Sequence, residues 1–203
     1  MASPRSPAVT DAPVRIFLRP IGSPLTVGMS GLAVASLVQS GLELGWIARS
    51  QVTEVGLILI AIPFVLQLLA CVFAYLARDG ATGAAVGLLS VTWLAVGLVH
   101  VSSLPGHQSG ALGLMLLGSG GTLALSAIAV GTVKPLPGFL FMIVGARFVL
   151  GGVFELGAGS AWQGAAGIAG LVVTGLAAYS VLAFELEGQQ HRAILPTLPP
   201  QPR

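Results

Sequence analysis

Charge is scarce in this chain. Only 8% of its 203 residues are Asp, Glu, Lys or Arg, while 55% are hydrophobic, and the mean hydropathy is +0.93. A water-soluble domain carries roughly 25% charged residues. With so few polar groups to cover a surface in water, a soluble globular fold is excluded. Cysteine is nearly absent too: Cys71 stands alone within an apolar run. It cannot form an internal disulfide, and a single thiol in such a setting behaves as a small hydrophobe. The basic residues give a pI near 9.2 but lie at the tails and loop ends, so no face for nucleic acid is expected.

The chemistry of an enzyme is also missing. There is no H-E-x-x-H, no pair of carboxylates within a span, no Ser-His-Asp set at membrane depth and no phosphate-binding glycine loop followed by Lys-Ser/Thr. His100 and His107 have no cysteine or carboxylate at ligand spacing, so they make no metal site. No enzymatic activity, cofactor or metal is expected.

What the chain does have is six apolar runs. A helix needs about 20 such residues to cross the hydrocarbon core. The runs are Leu25–Ile47, Val55–Ala77, Ala81–Val101, Ala111–Val130, Phe139–Leu156 and Ala161–Phe184. Short polar or Gly/Pro breaks separate them, among them Arg78-Asp79-Gly80 and Lys134-Pro135-Leu136-Pro137-Gly138. The predicted fold is all-α: a polytopic membrane bundle of six transmembrane helices over residues 23–185. Residues 1–22 read as a polar N-terminal tail rather than a cleaved signal. Residues 186–203 read as a proline-rich C-terminal tail.

Orientation follows from the positive residues. With the N-terminus inside, inner segments carry Arg5, Arg15, Arg19, Arg78, Lys134, Arg192 and Arg203, and outer loops carry only Arg49. Both termini are therefore expected in the cytoplasm, with the chain multi-pass in the cell (inner) membrane. Small residues recur at every fourth position in two spans: Ala166, Gly170, Thr174 and Ala178, and Gly118, Thr122 and Ser126. Such stripes mark close helix contact, within the bundle or between subunits.

Polar groups inside the spans are the candidate functional residues. Arg147 lies in the fifth span, where a charge costs about 2.5–3.5 kcal/mol on insertion scales and needs a partner or an aqueous cavity. Two readings stand: a fixed positive charge that draws an anion into a pore, or a structural ion pair with Glu43 or Glu155 or a side chain reaching the surface. Glu43 and Glu155 themselves read as outward-facing groups near span ends, solvated by interfacial water. Gln67, mid-way along the second span, either glues helices together or lines a polar path. Ser36 and Ser40 are expected to share a face of the first span with Met29. The Trp93 indole N–H wants a partner, so it is expected to face the bundle.

Several segments taken together resemble the acetate uptake transporters, the family of succinate–acetate permeases. That family opens its first span with N-P-A-P-L-G-L, and the corresponding stretch here is Ile21-Gly22-Ser23-Pro24-Leu25-Thr26-Val27, which keeps the Pro24–Leu25 pair. Gln67, Tyr75, Arg78-Asp79-Gly80-Ala81 and Trp93 fall at the family's spacings for its second and third spans. In the last span and tail, Ala166-Gly167, Gly170-Leu171, Tyr179, Arg192 and Leu195-Pro196 match A-G-x-x-G-L, a tyrosine and R-x-x-L-P.

The resemblance implies a six-helix protomer, a homo-oligomer (typically a hexamer) and one pore per protomer for small monocarboxylates. It also implies a narrow apolar constriction, whose three places here hold Ser30, Leu89 and Val144. The family has an aromatic, a tyrosine and a leucine there, so this chain departs from the pattern. Ile21 likewise replaces an asparagine at the pore entrance. Pro24, Ser30, Gln67, Leu89, Trp93, Val144 and Arg147 are thus the expected pore and substrate-binding residues, and the expected partners are small organic anions and the lipid bilayer. The expected function is a transporter or channel for acetate-like organic anions, with a non-conducting scaffold of the same fold as the alternative.

Overall fold

The computed structural model describes residues 22–190, 192 and 194–197. The N-terminal tail, apart from Gly22, lies outside them, as does Ile21. Six helices long and apolar enough to cross a membrane make up the described chain: α1 Pro24–Glu43, α2 Arg49–Leu76, α3 Gly80–Ser102, α4 Gly110–Gly131, α5 Pro135–Glu155 and α6 Ser160–Gln190. The protein is accordingly a multi-pass membrane protein of all-α class, and no strand occurs among the described residues.

Local sequence explains where the helices begin and end. Pro24 and Pro135 sit in the first turns of α1 and α5, where a missing N–H costs nothing. This is why α5 starts at Pro135, ahead of the apolar run that begins at Phe139. Asp79 and Ser109 cap α3 and α4 by accepting from Thr82 N (3.1 Å) and Leu112 N (3.3 Å). Gly45, Gly106 and Gly157 take positive φ in the turns after α1, α3 and α5, a backbone state that costs glycine little. The last helix runs on through Glu185 to Gln190, so the segment read as a tail from residue 186 begins inside it. Tyr179 then donates to the Pro196 carbonyl at 2.7 Å, folding the following segment back toward α6.

Within α2, Pro63 has no N–H to donate, and the helix widens to a π turn over Ile60–Phe64. Ser90 of α3 donates to the Phe64 carbonyl there at 2.9 Å. This bond supplies an external partner at the irregular turn.

Each helix packs against its neighbours in the chain, and α6 returns to α1, so the six close into a ring. The tightest seam is α4–α5. Gly113 lies against Gly152 and Gly120 against Gly145; a Cβ on any of these four would stand 2.7–2.9 Å from the facing carbonyl oxygen. Gly138, Gly145 and Gly152 are seven residues apart, as are Gly113 and Gly120, which is the repeat of a left-handed pair of helices. Gly56 and Gly97 make the same kind of contact between α2 and α3.

The every-fourth stripes do less of this work than their spacing suggests. Ala166 and Gly170 are buried, but Ala178, Gly118 and Thr122 face outward. Large apolar side chains cover the outer surface, including Leu125, Leu114, Ile128 and Ile168, as lipid contact requires.

Candidate functional site: a cation-floored cavity inside the ring

A cavity opens at the end of the bundle that carries the first, third and fifth loops. Its interior holds about 90 Å³ of space and widens to an open mouth. Arg49, Gly106, His107, Glu155 and Gln163 stand around the mouth, Val96, Val99 and Leu116 line the wall, and Trp93, Arg147 and Phe148 lie deepest. The wall is mostly apolar with a few convergent polar groups, the usual make-up of a small-molecule site.

Arg147 is 3% exposed. Its Nη2 donates to both oxygens of Glu43, at 3.2 and 3.1 Å. Of the partners considered for this arginine, Glu43 is the one it meets. This corrects the expectation that Glu43 faces outward into interfacial water: its side chain is only 10% exposed. The fold places it there because α1 ends at Glu43 in the ring's interior, facing the middle of α5. Glu155 goes elsewhere, accepting from Ser109 N at 2.7 Å.

The pair belongs to a longer chain of bonds. Gln39, one turn before Glu43, donates to Glu43 Oε1 at 3.1 Å. Its carbonyl oxygen lies 3.1 Å from His100 Nε2. Since the Gln39 oxygen only accepts, His100 carries its proton on Nε2 in this arrangement. Four side chains from three helices thus connect His100, Gln39, Glu43 and Arg147.

The aromatic floor holds the guanidinium from the other side. Arg147 Cζ is 5.3 Å from the Trp93 ring centroid, within cation–π range. Phe148 meets Trp93 edge-to-face at 5.5 Å and 71°. Trp93 is fully buried, as expected of a bundle-facing indole, but its Nε1 has no hydrogen-bond partner; neither has Arg147 Nε nor Ser40 Oγ. These unpartnered polar atoms lie buried behind the floor rather than on its open face.

Gly170 of α6 makes room for this arrangement. A Cβ there would overlap Ser40 Oγ and come within 2.6 Å of Arg147 Nε.

Of the residues read from sequence, Trp93 and Arg147 line the cavity. Leu89 and Val144 lie about one turn below them, in the core that closes the ring's middle, at 1% and 0% exposure. Ser30 is half-buried, and its hydroxyl donates to Thr26 O within α1 at 2.9 Å, while its neighbour Met29 enters the core. Gln67 is buried and donates to the Gly28 carbonyl at 3.4 Å, with its Oε1 unpartnered. Pro24 is half-buried at the far end. Ser36 and Ser40 are buried, as Met29 is. Gln39 and His100 line the cavity although the sequence reading gave them no place in it, and Glu43, read there only as a possible partner of Arg147, lines it too. The available signal was the Gln39–Glu43 spacing of four, which places an amide beside a carboxylate on one helix face.

At the opposite end, Lys134 pairs with Asp79, which also accepts from Thr82 N. Partial burial raises the Asp79 carboxyl, but the bonds from Lys134 and Thr82 outweigh it and hold the pKa below its ordinary value.

Among solved structures, the bundle is similar to the bacterial acetate channel SatP. The TM-score is 0.77, the likeness covers 88% of this chain and 99% of that one, and 19% of residues are identical. The two chains therefore share a fold. No protein-family model matches the sequence, and no curated protein matches it.

Proposed function

We propose that this protein carries small monocarboxylates across a membrane, through the interior of each protomer. The observation that carries the reading is the cavity inside the ring, open at one end and floored by a buried arginine. A solute would enter from the loop side, shed part of its water against Val96, Val99 and Leu116, and come to rest near Arg147. It would then pass a neck at Leu89 and Val144, and selectivity would come from pore width and the donors lining it. Pro24, Ser30 and Gln67 would stand along the lower half of that path. The shared fold with an acetate channel supports this use of the interior.

The lysine and arginine bias argues that both tails, residues 1–22 and 186–203, lie in the cytoplasm, which puts the cavity on the outer face of the cell membrane. The resemblance seen in sequence adds a homo-oligomer, a hexamer in that family, with one path per protomer.

Uptake of labelled acetate, propionate and larger acids into proteoliposomes tests the reading. Flux above empty vesicles, falling with acid size, is the expected result. No flux from correctly assembled protein would leave a non-conducting scaffold. Leu89→Trp should block flux if that position is the neck, and unchanged uptake would remove it from the path.

A further inference from the structure

The Arg147–Glu43 pair is built unlike a purely structural bridge. A guanidinium normally grips a carboxylate with two nitrogens in parallel. Here Nη2 alone serves both oxygens, while Nε is buried without a partner. Glu43 is also the last residue of α1, where the helix's free carbonyls disfavour a negative charge. Its tie to α1's own interior is the amide of Gln39. The guanidinium, by contrast, is held independently by Trp93 and by the fit against Gly170. Removing Glu43 from the pair would leave the cation in place and facing the cavity.

We propose that Glu43 is a tethered surrogate for the solute: its carboxylate occupies Arg147 in the empty protein, and an entering small carboxylate displaces it. The proposal rests on the transport reading above and adds a specificity device. An entrant must outcompete a carboxylate, which a planar two-oxygen anion can do by bridging Nη1 and Nη2, the paired grip that Glu43, held by Nη2 alone, lacks. A spherical halide offers one contact point and displaces poorly. Freed Glu43 keeps its bond to Gln39 and turns toward the watered mouth.

Trp93 reports on the site. Trp46 and Trp162 are 65% and 43% exposed and lie outside the cavity lining, so Trp46→Phe/Trp162→Phe leaves Trp93 as the sole indole. Acetate titrated onto this detergent-purified protein should change Trp93 fluorescence saturably, while acetamide and chloride should not. Adding Glu43→Gln should lower the half-saturating acetate concentration at least tenfold and let chloride compete. Should Glu43→Gln fail to fold, Glu43→Asp keeps the charge but shortens its reach, and should move the value several-fold in the same direction. No Trp93 response in the parent, or a half-saturation unmoved by the Glu43 substitution, overturns the proposal. Acetate flux in proteoliposomes without a Trp93 response overturns displacement while transport stands. A Trp93 response without flux supports displacement and overturns transport.

Discussion

Two ion pairs tie distant helices together in this bundle, and they differ in almost everything but their chemistry. Lys134–Asp79 sits at the end away from the cavity, with side chains 36% and 27% exposed. Arg147–Glu43 sits inside the ring at 4% and 10%. An exposed pair is solvated whether or not it forms, so it contributes little. A buried pair must overcome the desolvation of both charges, and an apolar pair of similar shape often serves stability as well or better. Stability therefore gives no reason to keep Arg147 and Glu43. The proposed passage of an anion through the cavity they floor would give one.

The sharpest way to break this contrast is to remove one partner of the buried pair. Glu43→Ala strands a buried cation and should cost about 3–5 kcal/mol of stability, read as a lowered unfolding temperature in detergent. The double change Glu43→Gln/Arg147→Met should recover most of that loss while abolishing acetate flux. Recovery of flux along with stability would mean that the charges serve only the fold.

A smaller effect is expected one layer out. Gly170→Ala places a methyl against Arg147 Nε and Ser40 Oγ and should cost about 1–3 kcal/mol as an overpacked contact. Flux should fall with it, because the guanidinium must shift. Gly175→Ala on the same helix has open space around it and serves as the neutral control.

The exposed pair gives the smallest effect. Lys134→Ala should cost about 0.2–1 kcal/mol and leave flux unchanged. Because the folded Asp79 carboxyl sits below its unfolded pKa, its stabilising contribution is present above the unfolded value and is lost as pH falls through the folded one. Unfolding measured from pH 6 down to pH 3 should show this acid loss in the wild type. The loss should be weaker in Lys134→Ala, where the carboxyl keeps only its bonds to Thr82.

The six helices were legible in the sequence because each apolar run is long enough to span and each break carries its own punctuation. The discrepancies are local. Pro135 and Pro137 read as a break although proline is welcome in a first turn, and the polar residues after Phe184 stay helical because crossing lipid and forming a helix are separate requirements. Arg147 stood out because a charge at that depth demands an explanation. Its partner was narrowed only to Glu43 or Glu155, because the choice between them is made by the closure of the ring, across a chain separation that no periodicity records. The glycine seam was hidden for a related reason. Its repeat is seven and is shared between two helices, whereas a stripe of every fourth residue is visible within one.

That seam has a mechanical consequence. Where Gly113, Gly120, Gly145 and Gly152 bring two backbones to carbonyl contact, neither helix can slide or tilt against the other without a clash of main-chain atoms. The α4–α5 hairpin must travel as one stiff plank. On the proposed path past Leu89 and Val144, opening would be easiest at the lighter joint between α3 and α4, with the plank carrying Arg147 along.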